Sequence, residues 1–212
     1  MLEGILSESR RRVVFRFSRV SRDDNEFLAE LDLDPDGQVE MLDLLSGLIP
    51  RGPIDELLDG PFRQMTKLRN RTRYSDGSYP VFYSALEAKT AEAEVAFWFR
   101  KEYVGTPKRD RTAYYQGFRC TFDGVEKDLR SRKREWPDLV HDSDYSFCNQ
   151  LGAEARALGI GGLVVPSARQ EMGTNMPIFV RGVLSDPKLD EVVAVTYRVD
   201  SDEVAVARLP QR

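Results

Sequence analysis

One carboxylate in this chain is carried toward the interior of a helix. After Thr90, the residues Ala91, Val95 and Trp98 recur at helical spacing, and Glu94 lies three positions after the first and four before the last, on the same face. An ionised carboxylate is costly to bury alone, so Glu94 must sit at the rim with its head in water, pair with a cation, or line a ligand cavity. Lys101, seven residues further on and on the same face, is a candidate partner. Upstream, Arg63, Lys67, Arg69, Arg71 and Arg73 form a run with no intervening acid. Guanidinium forks grip phosphate oxygens in pairs, which makes a phosphate-bearing ligand the chemical reading of that run. The plain alternative is a solvated cationic loop. No aromatic residues are interleaved through it, so a stacking platform for nucleic acid is not expected.

A second group lies downstream. Gly159-Ile-Gly-Gly is not a dinucleotide fingerprint, because a helix precedes it and a strand follows, the reverse of the order that fold requires. At the end of that strand, Pro166-Ser167-Ala168-Arg169 presents a hydroxyl beside a guanidinium. With no His or Lys base nearby, Ser167 suits hydrogen bonding to a substrate better than nucleophilic attack, and its ordinary role would be to satisfy local backbone.

These groups need a scaffold, and the chain is long enough to supply one. It has 212 residues, 41% hydrophobic and 31% charged, with a formal net charge of −4, the arithmetic of a globular domain that needs no metal or disulfide staples. Two cysteines, Cys120 and Cys148, suit buried thiols in a reducing compartment, and a single histidine, His141, leaves no room for the usual zinc ligand sets. No metal site is expected. The N-terminal arginines follow the first apolar run, and no window approaches the 18 uncharged apolar residues of a membrane span, so a cytoplasmic protein without a membrane partner is expected. Residues 21–60 hold twelve acids against two arginines, a balance of −10, while residues 61–134 hold seventeen Lys/Arg against nine Asp/Glu, a balance of +8. The two blocks either face one another or form separate solvated surfaces.

Alternation of apolar and polar residues predicts strands over 12–20, 80–85, 114–122, 160–166 and 177–183, with a hairpin over 192–209 about Asp200-Ser201-Asp202. Helical spacing predicts two short helices in 21–47, one capped by Thr90 and reaching Tyr103, and one opened by Ser143, with Phe147, Leu151, Ala155 and Leu158 on one face and Gly159 at its end. Residues 127–136 read as an exposed loop. The fold class is α+β, with mostly short strands in mixed or antiparallel sheets and flanking helices. Residues 1–47 read as an acidic N-terminal extension packed on a main domain of residues 48–212.

Taken in order, Arg73-Tyr-Ser-Asp-Gly77, Val81-Phe-Tyr83-Ser-Ala85, Thr90-Ala91 with Glu94, and Gly159-Ile-Gly-Gly-Leu-Val-Val-Pro166-Ser167-Ala-Arg169 followed by Asn175 and Ile178-Phe179 resemble the RES domain family. That family is named for its Arg, Glu and Ser. Tyr74 stands where a tryptophan or phenylalanine is commoner, Val165 replaces an aromatic before Pro-Ser, and the family's first arginine corresponds to Arg51. The resemblance implies a fold similar to ADP-ribosyltransferases and an enzyme that destroys NAD+ by hydrolysis or phosphorolysis of the nicotinamide–ribose bond. It further implies a toxin of a toxin–antitoxin pair, with an antitoxin protein as partner and a homo-oligomer as an open possibility. By the same resemblance Glu94 would stabilise positive charge at the ribose, Arg73 and Arg51 would hold the pyrophosphate, and Tyr83 would pack on the nicotinamide or its ribose. Ser167 would hydrogen-bond the ribose or amide, and Arg169 would complete the NAD+ site. Two other readings stay open: ADP-ribosyl transfer to a macromolecule, and a non-enzymatic nucleotide or nucleic-acid binding module.

Overall fold

The computed structural model describes residues 1–19, 54–63, 71–105 and 109–209. The helices expected in 21–47, Arg51, Lys67 and Arg69 lie outside the described residues, as does most of the acidic block. Seven strands form one mixed sheet: β1 (Ser7–Arg19), β2 (Phe82–Ala85), β3 (Arg111–Asp128), β4 (Gly162–Pro166), β5 (Thr174–Ile178), β6 (Leu184–Arg198) and β7 (Glu203–Arg208). Among the described residues three helices accompany them: α1 (Glu56–Arg63), α2 (Ala88–Tyr103) and α3 (Ser146–Ala157). The class is α+β, as the alternation implied. Strands β1, β3 and β6 are nevertheless long, at 13, 18 and 15 residues.

The strand order is β1-β2-β5-β4-β3-β6-β7, and β1 also pairs with β3 along its whole length, from Ser7 opposite Lys127 to Arg19 opposite Tyr115. The first five strands of that order therefore close into a ring, and β6 and β7 extend from β3. Among the described strand pairs only β3 and β4 run parallel. Each strand of the ring sends apolar residues into one cluster: Val14, Phe82, Phe118 to Phe122 at alternate positions, Val164, and Met176 with Ile178. Leu58 of α1 joins this cluster. Burying each such Phe, Leu or Met contributes about 1.5–3 kcal/mol.

Since successive side chains on a strand point to opposite faces, the interior of the ring decides what faces outward. On β4, Val164 points in while Leu163 and Val165 join a second cluster with Leu139, Cys148, Leu151 and Ala155, where α3 packs. On β2, Phe82 points in and Tyr83 packs on that second cluster. On β5, Met176 and Ile178 point in, which sends Asn175 to the outer face. A third cluster, with Phe99 of α2, Ala113, Val193, Val195 and Tyr197, seats the end of α2 against the extension.

Several boundaries differ from those read off the sequence. The strand expected at 177–183 is Thr174–Ile178, followed by a short 3₁₀ turn, Arg181–Val183. The stretch 127–136 is not simply exposed, because Lys127 is buried and donates to the Ile5 carbonyl, and Leu129 is fully buried. Helix α3 starts at Ser146 and not at Ser143, since His141 Nδ1 accepts the Ser143 and Asp144 N–H groups and Asp144 Oδ1 accepts that of Ser146. Leu158, expected on its buried face, is exposed. Helix α1 is not among the helices expected from the sequence and carries Gly60-Pro61, poor helix formers. Tertiary contacts hold it: Leu58 in the core, Phe62 stacked on Phe82, and Asp59 paired with both Arg63 and Arg181.

Candidate active site

Glu94 is placed by the way α2 begins. The helix is capped at Glu87 and not at Thr90, whose hydroxyl instead donates to Glu87 Oε2 (2.9 Å). The same oxygen accepts the Thr174 N–H (3.0 Å), and Leu86 N–H donates to the Thr174 carbonyl (2.9 Å), so the start of α2 is tied to the first residue of β5. Two turns along, the helix lays Glu94 beside the next residue of that strand. The buried stripe of α2 runs through Ala91, Val95 and Phe99, leaving Trp98 45% exposed. Trp98 is therefore not a core residue, and Lys101 lies over its ring (4.9 Å) and does not pair with Glu94.

Glu94 is half-buried and held through one oxygen. Oε1 accepts from Asn175 Nδ2 (2.6 Å) and from Ser167 Oγ (3.3 Å). Among the described residues no cation pairs with it, and both of its partners are neutral. Ser167 is buried and does two jobs at once. Its hydroxyl accepts the N–H groups of Arg169 and Gln170 (3.1 Å each), the local backbone role expected of a strand-end serine, while donating its proton to Glu94.

The arginine half of the site is built on residues 71–75, a tight turn whose Thr72 N–H donates to the Ser75 carbonyl (2.8 Å). Tyr83 locks this turn. Its hydroxyl shares a hydrogen bond with Thr72 Oγ1 (2.7 Å) and accepts the Tyr74 N–H (2.9 Å), and burial pushes its ionisation up to about 12, so it stays a neutral phenol. Asn149 of α3 pins the same turn by donating to the carbonyls of Thr72 (2.6 Å) and Arg73 (2.8 Å), while accepting from Arg71 Nε (2.6 Å). Arg71 is thus consumed structurally. Arg73 lies over the ring of Tyr145 (4.6 Å) and donates to the carbonyls of His141 (2.9 Å) and Leu139 (3.3 Å). It meets dipoles and an aromatic face, not a carboxylate.

Arg169 joins the two halves. It stacks on Phe97 of α2 (3.5 Å to the ring centre), one turn beyond Glu94, and donates to the Asp142 carboxylate (2.5 Å) and carbonyl (2.9 Å). His141 and Asp142 are thus gripped from one side by Arg73 and from the other by Arg169. Glu94, Ser167 and Arg169 form one hydrogen-bonded set and Arg73 and Tyr83 act on the 71–75 turn, the two sets meeting at the adjacent residues His141 and Asp142. Arg51 lies outside the described residues. A cavity of about 290 Å³ between Phe15–Phe17, Ala88 and Asp190–Glu191 contains none of them.

The RES domain family model matches residues 49–200, well over half of the chain. The chain belongs to the RES domain family. Among curated proteins none matches it. Among the described residues Arg73 is a cation without a carboxylate partner, Glu94 a carboxylate without a cation, and Ser167 a hydroxyl bonded to that carboxylate. Among the described residues no group of three or more His, Cys, Asp or Glu gathers to hold a metal, and no helix is long and apolar enough to cross a membrane. Sequence reading quoted Asn175 only as part of a motif and missed Phe97, Asp142 and Asn149. Phe97 was legible as the residue one turn after Glu94 on the same helix. Asp142 and Asn149 carry no local signal, because their partners lie 27 and about 77 residues away.

Proposed function

We propose that this RES domain breaks the nicotinamide–ribose N-glycosidic bond of NAD+, with water or phosphate as the acceptor. The observation that carries this reading is the Glu94 carboxylate, oriented by Asn175 and Ser167 through one oxygen and neutralised by no described cation. Cleavage develops positive charge on the ribose as the bonding pair departs with the ring nitrogen. A fixed, charged carboxylate beside the anomeric carbon stabilises that centre, as carboxylates do in glycoside cleavage. The pyridinium nitrogen leaves as neutral nicotinamide, so no general acid is required, and the acceptor bonds to the anomeric carbon; water loses its proton to solvent. Arg73, whose charge no described carboxylate meets, would attract the pyrophosphate, and Tyr83, its hydroxyl already engaged, would pack its ring on the nicotinamide or its ribose. The test is chromatography of NAD+ incubated with the purified protein. ADP-ribose is expected without phosphate, and a phosphorylated ADP-ribose with it if phosphate is the preferred acceptor. NAD+ left intact under both conditions overturns the reading, and ADP-ribose found on a macromolecule redirects it to transfer.

On this reading Asp142 competes with substrate. Its carboxylate is 83% exposed at the side chain and occupies Arg169, so a pyrophosphate oxygen must displace it. The Arg169 end of the pair is only 7% exposed, so the pair is worth no less than the about 0.2–1 kcal/mol of an exposed one, and Asp142→Asn is expected to lower KM for NAD+ by at least about twofold with little change in kcat. Steady-state kinetics of the variant checks this; an unchanged or raised KM removes Arg169 from the phosphate site.

A further inference from the structure

The Asn175 side chain is satisfied at one end only. A carboxylate can only accept, so the end of the amide lying 2.6 Å from Glu94 must be its nitrogen. That assignment leaves Oδ1 as the other end, and Oδ1 is buried with no hydrogen-bond partner. Buried carbonyl oxygens are nearly always paired, so an orphan acceptor beside a half-buried carboxylate points to a missing donor. The side chain has no freedom to turn the orphan elsewhere without presenting an oxygen to the Glu94 carboxylate. Ser167, the other neutral partner of Glu94, already gives its single proton to Glu94.

The fragment that fits must therefore bring donors to two neighbouring acceptors, the Glu94 carboxylate and the Asn175 carbonyl. Two hydroxyls on adjacent carbons do this. With Glu94 beside the anomeric carbon, the nearer acceptor takes the 2′-hydroxyl of the nicotinamide ribose and the next takes the 3′-hydroxyl. We infer that Asn175 is a specificity-determining residue whose Oδ1 accepts a hydrogen bond from the 3′-hydroxyl of that ribose, while its Nδ2 positions Glu94. The inference rests on the NAD+-cleaving reading. The oxygen has almost no accessible surface in the free protein, so the neighbouring side chains must part slightly to admit the hydroxyl.

The experiment is a two-by-two comparison of kcat/KM for NAD+ and for NAD+ lacking the 3′-hydroxyl of the nicotinamide ribose, in the wild type and in Asn175→Ala. Each ratio is measured within one preparation, so it is independent of how much of that protein is folded. The wild type is expected to favour NAD+ by about tenfold to a hundredfold, the range for a polar partner left unpaired in a site. Asn175→Ala should lower activity on both substrates and reduce the ratio to about threefold or less. Asn175→Asp keeps an acceptor but removes the donor to Glu94, so it should lose kcat and keep the ratio. If Asn175→Ala retains the wild-type ratio, or instead loses discrimination between NAD+ and its nicotinic acid counterpart, the assignment to the 3′-hydroxyl is overturned. If the wild type cleaves neither dinucleotide, the NAD+-cleaving reading falls and takes this inference with it.

Discussion

Glu94→Gln is expected to lower kcat for NAD+ cleavage by about a hundredfold to a thousandfold while leaving KM within about twofold, because the loss falls on the transition state alone. Glutamine has the length and shape of glutamate and keeps an Oε1 that can accept from Asn175 Nδ2 and Ser167 Oγ, so the outer face between α2 and β5 retains its packing. What disappears is the negative charge. On the NAD+-cleaving reading the ribose meets that carboxylate as a polar neighbour in the ground state, and as the counter-charge of an oxocarbenium-like carbon in the transition state. Thermal melting of the variant should stay within a few degrees of the wild type, which separates lost chemistry from lost fold. Retention of more than a tenth of the wild-type kcat would falsify the assignment of charge stabilisation to Glu94.

How much of this site could be read from residue order depends on the range of each contact. Glu94 was legible because helical periodicity is local: its place between Ala91 and Val95 set it at the margin of the buried stripe. Its partners were not, since Ser167 and Asn175 lie 73 and 81 residues away and reach it only through the sheet order that brings β4 and β5 beside β2. The same limit explains the error at Lys101. Helical spacing put it on the right face, but Trp98 offered its ring one turn nearer, and a cation over an aromatic face keeps its hydration better than one drawn into a half-buried pair. Alternation identified β1 and β3 as strands but could not reveal that their pairing closes a ring. The arginine run was legible as charge only. Its division into a structural member, Arg71, a helix-end member, Arg63, and a candidate ligand-binding member, Arg73, follows from what α1 and α3 offer to each.

The position with the largest expected effect on stability touches no substrate. A Cβ at Gly152 of α3 would lie 2.2 Å from the Tyr74 carbonyl oxygen and 2.7 Å from the Tyr79 hydroxyl. Neither can retreat. Tyr79 Oη donates to that carbonyl (2.8 Å), the Tyr74 N–H is held by Tyr83, and one turn back along α3 Asn149 grips the two preceding carbonyls. Gly152→Ala is therefore expected to cost about 3 kcal/mol, the upper end of ordinary overpacking, because backbone and not a flexible side chain must move. Urea denaturation should show the midpoint falling without a change in slope. The displacement also carries a kinetic signature: whatever fraction folds has its 71–75 turn pushed off α3, so KM for NAD+ should rise through Arg73 more than kcat falls through Glu94, which is anchored on β5. Gly60→Ala in α1, where a Cβ meets nothing within 4 Å beyond its chain neighbours, is the control and should stay within about 1 kcal/mol of the wild type, the gain in helix propensity being offset by crowding of the Cβ against Pro61. A Gly152→Ala protein that unfolds at the wild-type urea concentration would mean that α3 does not set the position of the arginine turn.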